Sequence, residues 1–445
     1  PDAATLATYQ SASVWSELAT QMVTKDALQV REVTISQNQA MSALHVALGE
    51  ENLMNTTSLK VHGTINSYDI MLMRNKMLNL KYLDLSEAEV KACPYEYYTG
   101  YCSHDSVLEN YAFSELNLRV VHLPKNLTEI HDCFAACPYL DTVYCQPGLK
   151  IIGPNTFSGS TSLRRVEMHE GITQIGSSAF KKTTNLRTIT LPNSLEEIGY
   201  DAFQSSGLQS IYIPENVASI GPHAFRSGQL QHVTFAPNGK LQLIETNTFR
   251  EQSVLQTIDW ENTNIITIES YAFASCKSLK LGQMPKKLKT INQYAFRYCS
   301  AIDTISLPPR LETIQGYAFQ DCINTKVIKI SSSVRNIQNY AFTGCANVER
   351  VYTYTVEPTN ILQQTFSCWH VANLYVPATS YYNYYYNTQW SQFIKLIEFD
   401  EEYDYFYLNG DYTLGGDNGV IEGNPDVDLN PGSGITIVGD ETVEL

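Results

Sequence analysis

The chain has 445 residues, of which 43% are hydrophobic and 17% are charged, and its formal net charge is −16. Charged residues are fewer than the roughly 25% of an average domain, and apolar residues are ample, so we expect a folded chain with a continuous core. The negative charge argues against binding to nucleic-acid phosphates, which requires a basic face. No apolar run approaches the roughly 18 residues of a membrane span, so we expect no transmembrane segment.

The chain begins with Pro1, Asp2 and Ala3 and has no initiating Met. This start fits a mature protein whose leader has been removed, which predicts export from the cell. A lipid anchor carried by the missing leader is compatible with the same start.

Residues 1–107 form a less regular first region. A stack of repeats needs a covered first layer, and we interpret this region as an N-terminal cap with divergent repeats in front of the array described next. Its predicted elements are a helix near Val14 to Val23, a strand at Val30 to Ser36, a strand within Thr57 to Asn66, a helix near Tyr68 to Lys76 and a strand at Leu80 to Ser86.

Cys93 and Cys102 flank a Tyr-rich segment near the end of this first region. They lie outside the repeat pattern, and an exported protein meets an oxidising compartment. A disulfide between Cys93 and Cys102 and a pair of free thiols are both open interpretations.

An internal repeat dominates residues 108–377, where a Phe recurs every 21 to 24 residues. The copies fit the template L-x-x-I-x-L-P-x-x-L-x-x-I-G-x-x-A-F, as in Leu186 to Phe203 and Leu208 to Phe225. The repeated residues are Phe113, Phe134, Phe157, Phe180, Phe203, Phe225, Phe249, Phe273, Phe296, Phe319, Phe342 and Phe366.

Each part of the template has a structural meaning. The alternation of Ile189, Thr190 and Leu191 predicts a strand with one buried face, and successive strands should pair in a parallel sheet. Pro192 ends the strand because it has no N–H to donate, and Gly199 is expected to permit a backbone bend. A single repeat cannot bury its Phe ring, so the copies must stack. The sequence predicts an α/β-type repeat solenoid that is elongated and curved.

The repeat resembles the bacterial leucine-rich repeats of the BspA type, whose signature is the I-G-x-x-A-F stretch. Ile175 to Phe180, Ile198 to Phe203 and Ile220 to Phe225 match this signature fully. Later copies replace the Gly by Asn292, Gln315 and Gln338. The resemblance implies a leucine-rich-repeat array in a cell-surface or secreted bacterial protein of Bacteroides-like type, with adhesion or ligand binding as the usual role. It does not fix a ligand.

Polar positions beside the buried strand residues should project onto the open face of the sheet. Tyr and Arg are common anchors of protein interfaces, so this face is the predicted ligand-binding surface, although plain solvent-facing sheet is the alternative at any single position. The candidate ligand-binding residues are Arg165, Glu167, Tyr212, His232, Asp259, Lys329, Arg350, Tyr352 and Tyr375.

Five cysteines recur at intervals of 23 residues, each two or three positions after a repeat Phe: Cys276, Cys299, Cys322, Cys345 and Cys368. We interpret them as a ladder of buried thiols, because free Cys packs as a small hydrophobe and a zinc site needs ligands that converge on one point. Cys133, Cys137 and Cys145, with His131 nearby, leave a metal site as a less favoured alternative. We predict no metal and no cofactor.

The sequence contains no G-x-S-x-G, H-E-x-x-H, P-loop or G-x-G-x-x-G motif, and its nine His are scattered without ligand spacing. We therefore predict that the chain is not an enzyme.

After the array, residues 378–400 are predicted to form a capping helix that carries Trp390 and Phe393. Five tyrosines in this segment, at 381, 382, 384, 385 and 386, cannot share one helix face, so some rings should be exposed. Residues 401–445 carry 11 acids and no Lys or Arg, and predict an acidic, Gly- and Asp-rich extension of β or irregular structure. Asp426 to Asn430 begins like a calcium loop, but Ile437 stands where a bidentate Glu is expected.

These features predict a monomeric scaffold, at the cell surface or secreted, that recognises an extracellular protein through the exposed face of the repeat sheet. A carbohydrate-binding surface protein is the alternative, favoured by the 29 Tyr. A structural spacer and an enzyme with an unrecognised site are less favoured.

Overall fold

The computed structural model describes residues 30–35 and 42–399, together with the backbone of two short strands at 413–414 and 421–422. The predicted helix near Val14 to Val23, the segment Asp426 to Ile437 and almost all of the extension 401–445 lie outside the described residues. The chain divides into two compact units. The first comprises residues 1–241 and 245–256, and the second comprises residues 242–244 and 257–445.

The described part of the first unit is built mainly from short strands. Its helices are α1 Ala43–Leu48, α2 Glu50–Leu53 and α3 Ser67–Lys76. Its strands are β1 Arg31–Ile35, β2 Ser58–Ile65, β3 Tyr82–Val90, β4 Glu96–Tyr98, β5 Tyr101–Cys102, β6 Val107–Leu108, β7 Val120–His122, β8 Glu129–Ile130, β9 Thr142–Tyr144, β10 Ile151–Ile152, β11 Arg165–Glu167, β12 Gln174–Ile175, β13 Glu197–Ile198, β14 Ser210–Ile213, β15 Ser219–Ile220 and β16 His232–Phe235.

The first unit starts with three parallel strands. β1 pairs with β2, β2 pairs with β3, and α3 connects β2 to β3. Asn66 begins α3 because its side chain accepts a hydrogen bond from the Tyr68 N–H at 3.0 Å, while Asp69 accepts one from the Asn66 N–H at 3.2 Å. The strands and the helix predicted for residues 30–86 are confirmed.

Each coil, meaning one turn of the repeat, contributes to parallel ladders of short strands. β7, β9 and β11 continue the sheet of β3, with Val121, Val143 and Val166 in register and buried, and β14 pairs with β16 in the same way. These are the strands that the template predicts. A second ladder joins β6, β8, β10, β12, β13 and β15, which end in the Leu or Ile of the second half of the template. The template did not predict this second ladder.

The repeated Phe side chains form a stack through the core. Phe180, Phe203 and Phe225 are fully buried, and their ring centroids are 5.0 and 5.2 Å apart with planes within 2° of parallel. The same stacking holds from Phe113 to Phe249 in the first unit and from Phe273 to Phe366 in the second. The predicted stacking of one Phe on the next is confirmed.

Around each repeated Phe from Phe113 to Phe342 the backbone makes a turn that begins and ends with a left-handed residue. We call these five residues the Phe turn. In the turn Ser178–Lys182, Ser178 has φ 56° and Lys182 has φ 60°. The N–H groups of Ser178, Phe180 and Lys182 donate hydrogen bonds of 2.7 to 2.8 Å to carbonyls of the following coil. The Phe turns thus join successive coils, as the strand ladders do.

The Gly of the signature has a different role from the predicted one. The φ angles of Gly176, Gly199 and Gly221 lie outside the left-handed region, so no special bend requires Gly there. A Cβ on Gly199 would lie 2.7 Å from the carbonyl carbon of Gly176 and from the nitrogen of Ser177, and Gly176 and Gly221 face the coil before them at similar distances. Gly is needed because neighbouring coils approach closely, and the prediction of a bend was wrong.

In the second unit, where other residues replace this Gly, the hydrogen bond to the preceding coil is slightly longer. The Gly199 N–H donates to the Ile175 carbonyl at 2.7 Å, whereas the Asn292 N–H donates to the Ile268 carbonyl at 2.9 Å. A side chain at this position therefore accompanies a longer hydrogen bond to the preceding coil.

The second unit repeats the two-ladder plan. Its strands are β17 Leu243–Ile244, β18 Thr257–Asp259, β19 Thr267–Ile268, β20 Thr290–Ile291, β21 Thr304–Ser306, β22 Thr313–Ile314, β23 Val327–Ile330, β24 Asn336–Ile337, β25 Arg350–Thr353, β26 Asn373–Pro377, β27 Lys395–Phe399, β28 Thr413–Leu414 and β29 Ile421–Glu422. β17, β19, β20, β22 and β24 form one parallel ladder, and β21, β23, β25, β26 and β27 form the other. β28 and β29 pair antiparallel.

The cysteine ladder of the second unit is confirmed. Cys276, Cys299, Cys322, Cys345 and Cys368 are all free and buried. Three of these thiols donate to the carbonyl of the Phe one coil earlier, for example Cys299 to Phe273 at 3.1 Å. Ser160 fills the equivalent position in the first unit and donates to the Phe134 carbonyl at 2.7 Å. This position therefore requires a small side chain that can donate a hydrogen bond to a buried carbonyl.

The end of the second unit differs from the single helix predicted for residues 378–400. A 3-10 turn at Ala378–Ser380, the short helix α4 Tyr381–Tyr385 and a 3-10 turn at Trp390–Gln392 lead into β27. Asn387 accepts hydrogen bonds from the N–H groups of Gln389 and Trp390 at 3.1 and 3.2 Å, which turns the chain after α4. The prediction of one continuous helix was wrong, whereas Trp390 and Phe393 are buried.

Thiol accessibility should distinguish the ten cysteines. Cys102 is half-exposed and the other nine are buried, so we expect one thiol of the folded, reduced chain to react rapidly with a disulfide reagent and nine to react only on unfolding. Mass spectrometry of the alkylated peptides would identify the fast thiol. Rapid labelling of Cys299 or Cys322 would contradict the buried ladder.

Candidate functional site

The candidate surface is the open face of the longer strands, which we call the strand face. In the first unit it includes β7, β9 and β11, where His122, Tyr144 and Glu167 lie in register on neighbouring strands. The rings of His122 and Tyr144 stack with centroids 4.1 Å apart and planes at 11°. Arg165, on the same strand as Glu167, forms an ion pair with it. Because both partners are at least partly exposed, this pair contributes little to stability.

Tyr212 and His232 lie farther along the first unit, on β14 and β16. Tyr212 is in register with Thr234, and His232 is in register with Ser210, so the two predicted side chains are diagonal neighbours. Tyr212 is 51% exposed, and His232 is also exposed. The coil between β11 and β14 has no regular strand at 188–190. The structure therefore does not join Arg165 and Glu167 to Tyr212 and His232 in one continuous ladder.

The second unit brings most of its predicted residues together. Lys329, Tyr352 and Tyr375 lie in register on β23, β25 and β26. The rings of Tyr352 and Tyr375 stack with centroids 4.5 Å apart, and the Lys329 ammonium lies 5.8 Å from the centre of the Tyr352 ring. Arg350, two residues before Tyr352 on the same strand and in register with Asn373, is exposed. The result is an aromatic surface with two cations beside it.

Two further residues extend this surface. Phe399 on β27 meets the Tyr352 ring edge-on at 5.9 Å, and Lys395 is in register with Asn373 and exposed. We define the patch as Lys329, Arg350, Tyr352, Tyr375, Lys395 and Phe399. Sequence reasoning missed Phe399 and Lys395 because it assigned residues 378–400 to a helix. It also missed His122 and Tyr144. These residues lie two coils and one coil before Glu167 in the same template register, which would have found them.

Asp259 stands apart from the patch. It is exposed at the end of β18. The next coil has no strand at 280–282, and the coil after it contributes Ser306 before Lys329 is reached. The structure does not bring Asp259 to the other predicted residues of the second unit.

The tyrosines of α4 form a second candidate surface. Tyr384 is buried, and its hydroxyl donates to the Thr355 carbonyl at 2.9 Å. Tyr382, Tyr385 and Tyr386 are 68%, 54% and 76% exposed. The prediction that some of these rings are exposed is confirmed.

A shallow depression of about 360 Å³ lies among the Phe turns at the start of the first unit. It is lined by Glu109, Asn110, His131, Asp132, Pro154 and Asn155. His131 is paired with Glu129 at 3.0 Å, and burial raises the pKa of Asp132. The depression is polar and open, unlike the enclosed apolar clefts in which small molecules usually bind.

The structure does not bring Cys133, Cys137, Cys145 and His131 together as a group of metal ligands. All three thiols are buried, and burial raises the pKa of Cys137 and of Cys145 to about 12 and that of Cys133 well above its usual value. Cys137 donates to the Phe113 carbonyl at 3.1 Å, as the ladder register predicts. Within the described ranges no three His, Cys, Asp or Glu side chains converge on one point.

Cys93 and Cys102 lie near each other in the chain around the hairpin of β4 and β5. Both are free thiols in the structure, Cys93 buried and Cys102 half-exposed. The disulfide between them stays a prediction, and a count of thiols in the denatured, unreduced chain tests it. Ten thiols would exclude the bond, whereas eight would support it.

The repeat that builds these surfaces identifies the family. Residues 103–209, 196–322 and 290–406 match the BspA type leucine rich repeat region, in six copies, which is more than half of the chain. The chain belongs to this family. Its parallel ladders and stacked Phe residues are therefore those of a BspA-type leucine-rich-repeat solenoid, and the fold class and family expected from the template are confirmed.

Several solved structures are similar to parts of this BspA-type chain. A leucine-rich repeat protein from Bacteroides ovatus has 21% identity and a TM-score of 0.36, and the match covers 59% of this chain and 85% of that one. A leucine rich cell surface protein from Faecalibacterium prausnitzii has 22% identity and a TM-score of 0.32, with 59% and 86% covered. The leucine rich repeat protein of T. pallidum has 26% identity and a TM-score of 0.36, with 39% and 82% covered. No curated protein matches the chain.

The BspA-type chain contains little helix. The longest helix within residues 30–35 and 42–399 is α3, with ten residues, about half the length that a bilayer requires. None of the described helices is long and apolar enough to span a membrane.

Proposed function

We propose that this chain is a binding scaffold, at the cell surface or secreted, that recognises an extracellular protein through the strand face of its second unit. The observation that carries the proposal is the patch of Lys329, Arg350, Tyr352, Tyr375, Lys395 and Phe399, in which aromatic rings and cations occupy neighbouring strands. Tyr and Arg are the residues most often found as energetic anchors of protein interfaces.

The charge of the patch indicates the chemistry of the partner. The side chains of Arg350 and Lys395 are exposed and, within the described part of the chain, have no acidic partner. On a chain with a net charge of −16, such a local cationic surface would favour an acidic surface of the partner and would orient its approach. We expect the complex to weaken as ionic strength rises.

The test is binding of the purified chain, as a monomer, to parallel arrays of extracellular-matrix proteins and glycans. The variant Arg350→Ala/Tyr352→Ala should weaken binding to a protein hit by at least about 2 kcal/mol, the size expected for truncated anchors. Surface plasmon resonance against that hit measures the change.

The matched control is Arg335→Ala/Tyr386→Ala, which removes the same two residue types outside the patch, where both are exposed. It should bind as the unaltered chain does. Equal affinity of the patch variant and the unaltered chain would contradict the proposal.

A carbohydrate-binding role is the second candidate, because Tyr382, Tyr385 and Tyr386 are exposed together on α4. Exposed tyrosine rings can stack on sugars. Binding confined to the glycan array and lost in the Arg335→Ala/Tyr386→Ala variant would favour this candidate over the protein partner.

A further inference from the structure

The second unit carries a row of tyrosines at the start of its Phe turns. Four successive coils place a Tyr two residues before the Phe: Tyr271, Tyr294, Tyr317 and Tyr340, which we call the tyrosine row. Their φ angles are between 60° and 63°. Successive ring centroids are 4.7, 4.9 and 4.7 Å apart, and successive planes differ by 13°, 12° and 6°. The row is evenly spaced and its rings are nearly parallel.

The fold does not require Tyr at this position. In the first unit one coil has Tyr111 at the same left-handed position, and the other coils have Asp132, Asn155, Ser178, Asp201, His223 and Asn247. Asn and Asp tolerate left-handed backbone better than a bulky aromatic residue does. A Tyr in four consecutive coils therefore needs a further explanation, either the stacking of the rings or what their edges present to solvent.

The row presents hydroxyl groups to solvent. Each ring is half-buried, and Tyr294 and Tyr317 have a neighbouring ring on both faces, so these two inner residues expose mainly their ring edges. The hydroxyls of Tyr294, Tyr317 and Tyr340 make no hydrogen bond with the described part of the chain, and none of them is a buried atom without a partner. They must therefore reach water, as a line of groups that can each donate and accept.

A cationic donor lies beside the row. The Arg297 guanidinium is 5.4 Å from the centre of the Tyr294 ring and 4.5 Å from that of Tyr298, and it donates to the Tyr298 hydroxyl at 2.9 Å. No acidic side chain of the described residues pairs with Arg297. Tyr298 is 42% exposed, so this corner adds one more accessible hydroxyl to the row.

We propose that the tyrosine row binds a straight, neutral, hydroxyl-rich polymer, specifically a β-1,4-linked glucan lying along the row. The even spacing of the rings and the small angles between successive planes place the tyrosines in a regular, nearly parallel series, which suits an extended polymer. A β-1,4-linked glucan is an extended ribbon with hydroxyls along both edges, whereas an α-1,4-linked glucan winds into a helix. The net charge of −16 disfavours an acidic polymer. This site is separate from the patch on the strand face and does not depend on the proposed protein partner.

The test is calorimetric titration of the full chain with cellohexaose, with maltohexaose as the shape control. The variant Tyr294→Phe/Tyr317→Phe/Tyr340→Phe removes three hydroxyls and keeps the stacked rings. We expect its affinity for cellohexaose to fall by about tenfold or more, because three hydrogen bonds are lost, while its melting temperature is unchanged. Maltohexaose should bind more weakly than cellohexaose to the unaltered chain.

The matched control is Tyr212→Phe/Tyr382→Phe/Tyr386→Phe, which removes three exposed hydroxyls outside the row. It should retain the affinity of the unaltered chain for cellohexaose. The proposal is overturned if the unaltered chain does not bind cellohexaose, if it binds maltohexaose equally well, or if the row variant binds as tightly as the control. The last result would mean that the tyrosines only stack on one another. The melting temperature of Tyr317→Ala would then measure how much this stacking stabilises the fold.

Discussion

Replacing Phe203 by Ala should lower the free energy of unfolding by about 3–5 kcal/mol, the range measured for aromatic residues truncated in cores. Phe203 is fully buried, and it stacks on Phe180 and Phe225 at 5.0 and 5.2 Å with nearly parallel planes. The cavity cannot collapse easily, because the backbone of its own turn is fixed on both sides. The Phe203 N–H donates to the Ala224 carbonyl at 2.7 Å, and the Phe180 N–H donates to the Ala202 carbonyl at 2.7 Å. Urea unfolding followed by circular dichroism measures the change.

Phe203→Leu is the appropriate comparison, since it keeps most of the buried volume and loses only the ring stacking. We expect it to cost less than half as much as Phe203→Ala. A loss below about 1 kcal/mol for the Ala variant would be typical of a surface substitution and would contradict the placement of this ring in the core.

Replacing Gly199 by Ala should lower the free energy of unfolding by about 3 kcal/mol, the upper end of the range for overpacked sites. The added carbon would lie 2.7 Å from the carbonyl carbon of Gly176 and from the nitrogen of Ser177. Both are backbone atoms and cannot turn aside as a flexible side chain can. The coils would have to separate, which weakens the 2.7 Å hydrogen bond from the Gly199 N–H to the Ile175 carbonyl. Thermal and urea unfolding would both report the loss.

Gly282→Ala provides the matched control. A Cβ at Gly282 would meet no atom within 4 Å, and its φ is not in the left-handed region. At such a site Gly→Ala changes stability by no more than about 1 kcal/mol and commonly in the favourable direction, because it restricts the unfolded chain. Equal losses at Gly199 and Gly282 would show that close approach of the coils is not the reason for Gly in the signature.

The template predicted the strand ladder well, because its information is local. The alternation around Val143 or Ile328 determines both the strand and the residues that face outward, and the register of Lys329, Tyr352 and Tyr375 followed from it. The second ladder was missed because its strands have only two residues before the Gly, and a segment of two residues cannot show an alternating pattern. The reason for that Gly was also beyond a local pattern, since it depends on where the preceding coil lies.

The candidate site was only partly predictable for similar reasons. Which outward residues touch depends on whether the intervening coil forms a strand, and neither 188–190 nor 280–282 does. Asp259 was consequently grouped with residues of the second unit that it does not reach. The tyrosine row was missed because Tyr294 and Tyr317 precede the Ala-Phe pair, at a position that the template left unspecified.

The hydrogen bonds of the Phe turns have an electrostatic consequence, because they all run in the same sense. In the first unit the N–H groups of Ser178, Phe180 and Lys182 donate to the next coil, and in the second unit those of Phe296 and Tyr298 do the same. The dipoles of these peptide groups add along the Phe turns, as they do along the axis of an α-helix, whereas hydrogen bonds elsewhere in the coil, such as that from the Gly199 N–H to the Ile175 carbonyl, run in the opposite sense. The side of each unit that the Phe turns form should therefore carry a line of aligned peptide dipoles, whose positive ends point toward the later coils.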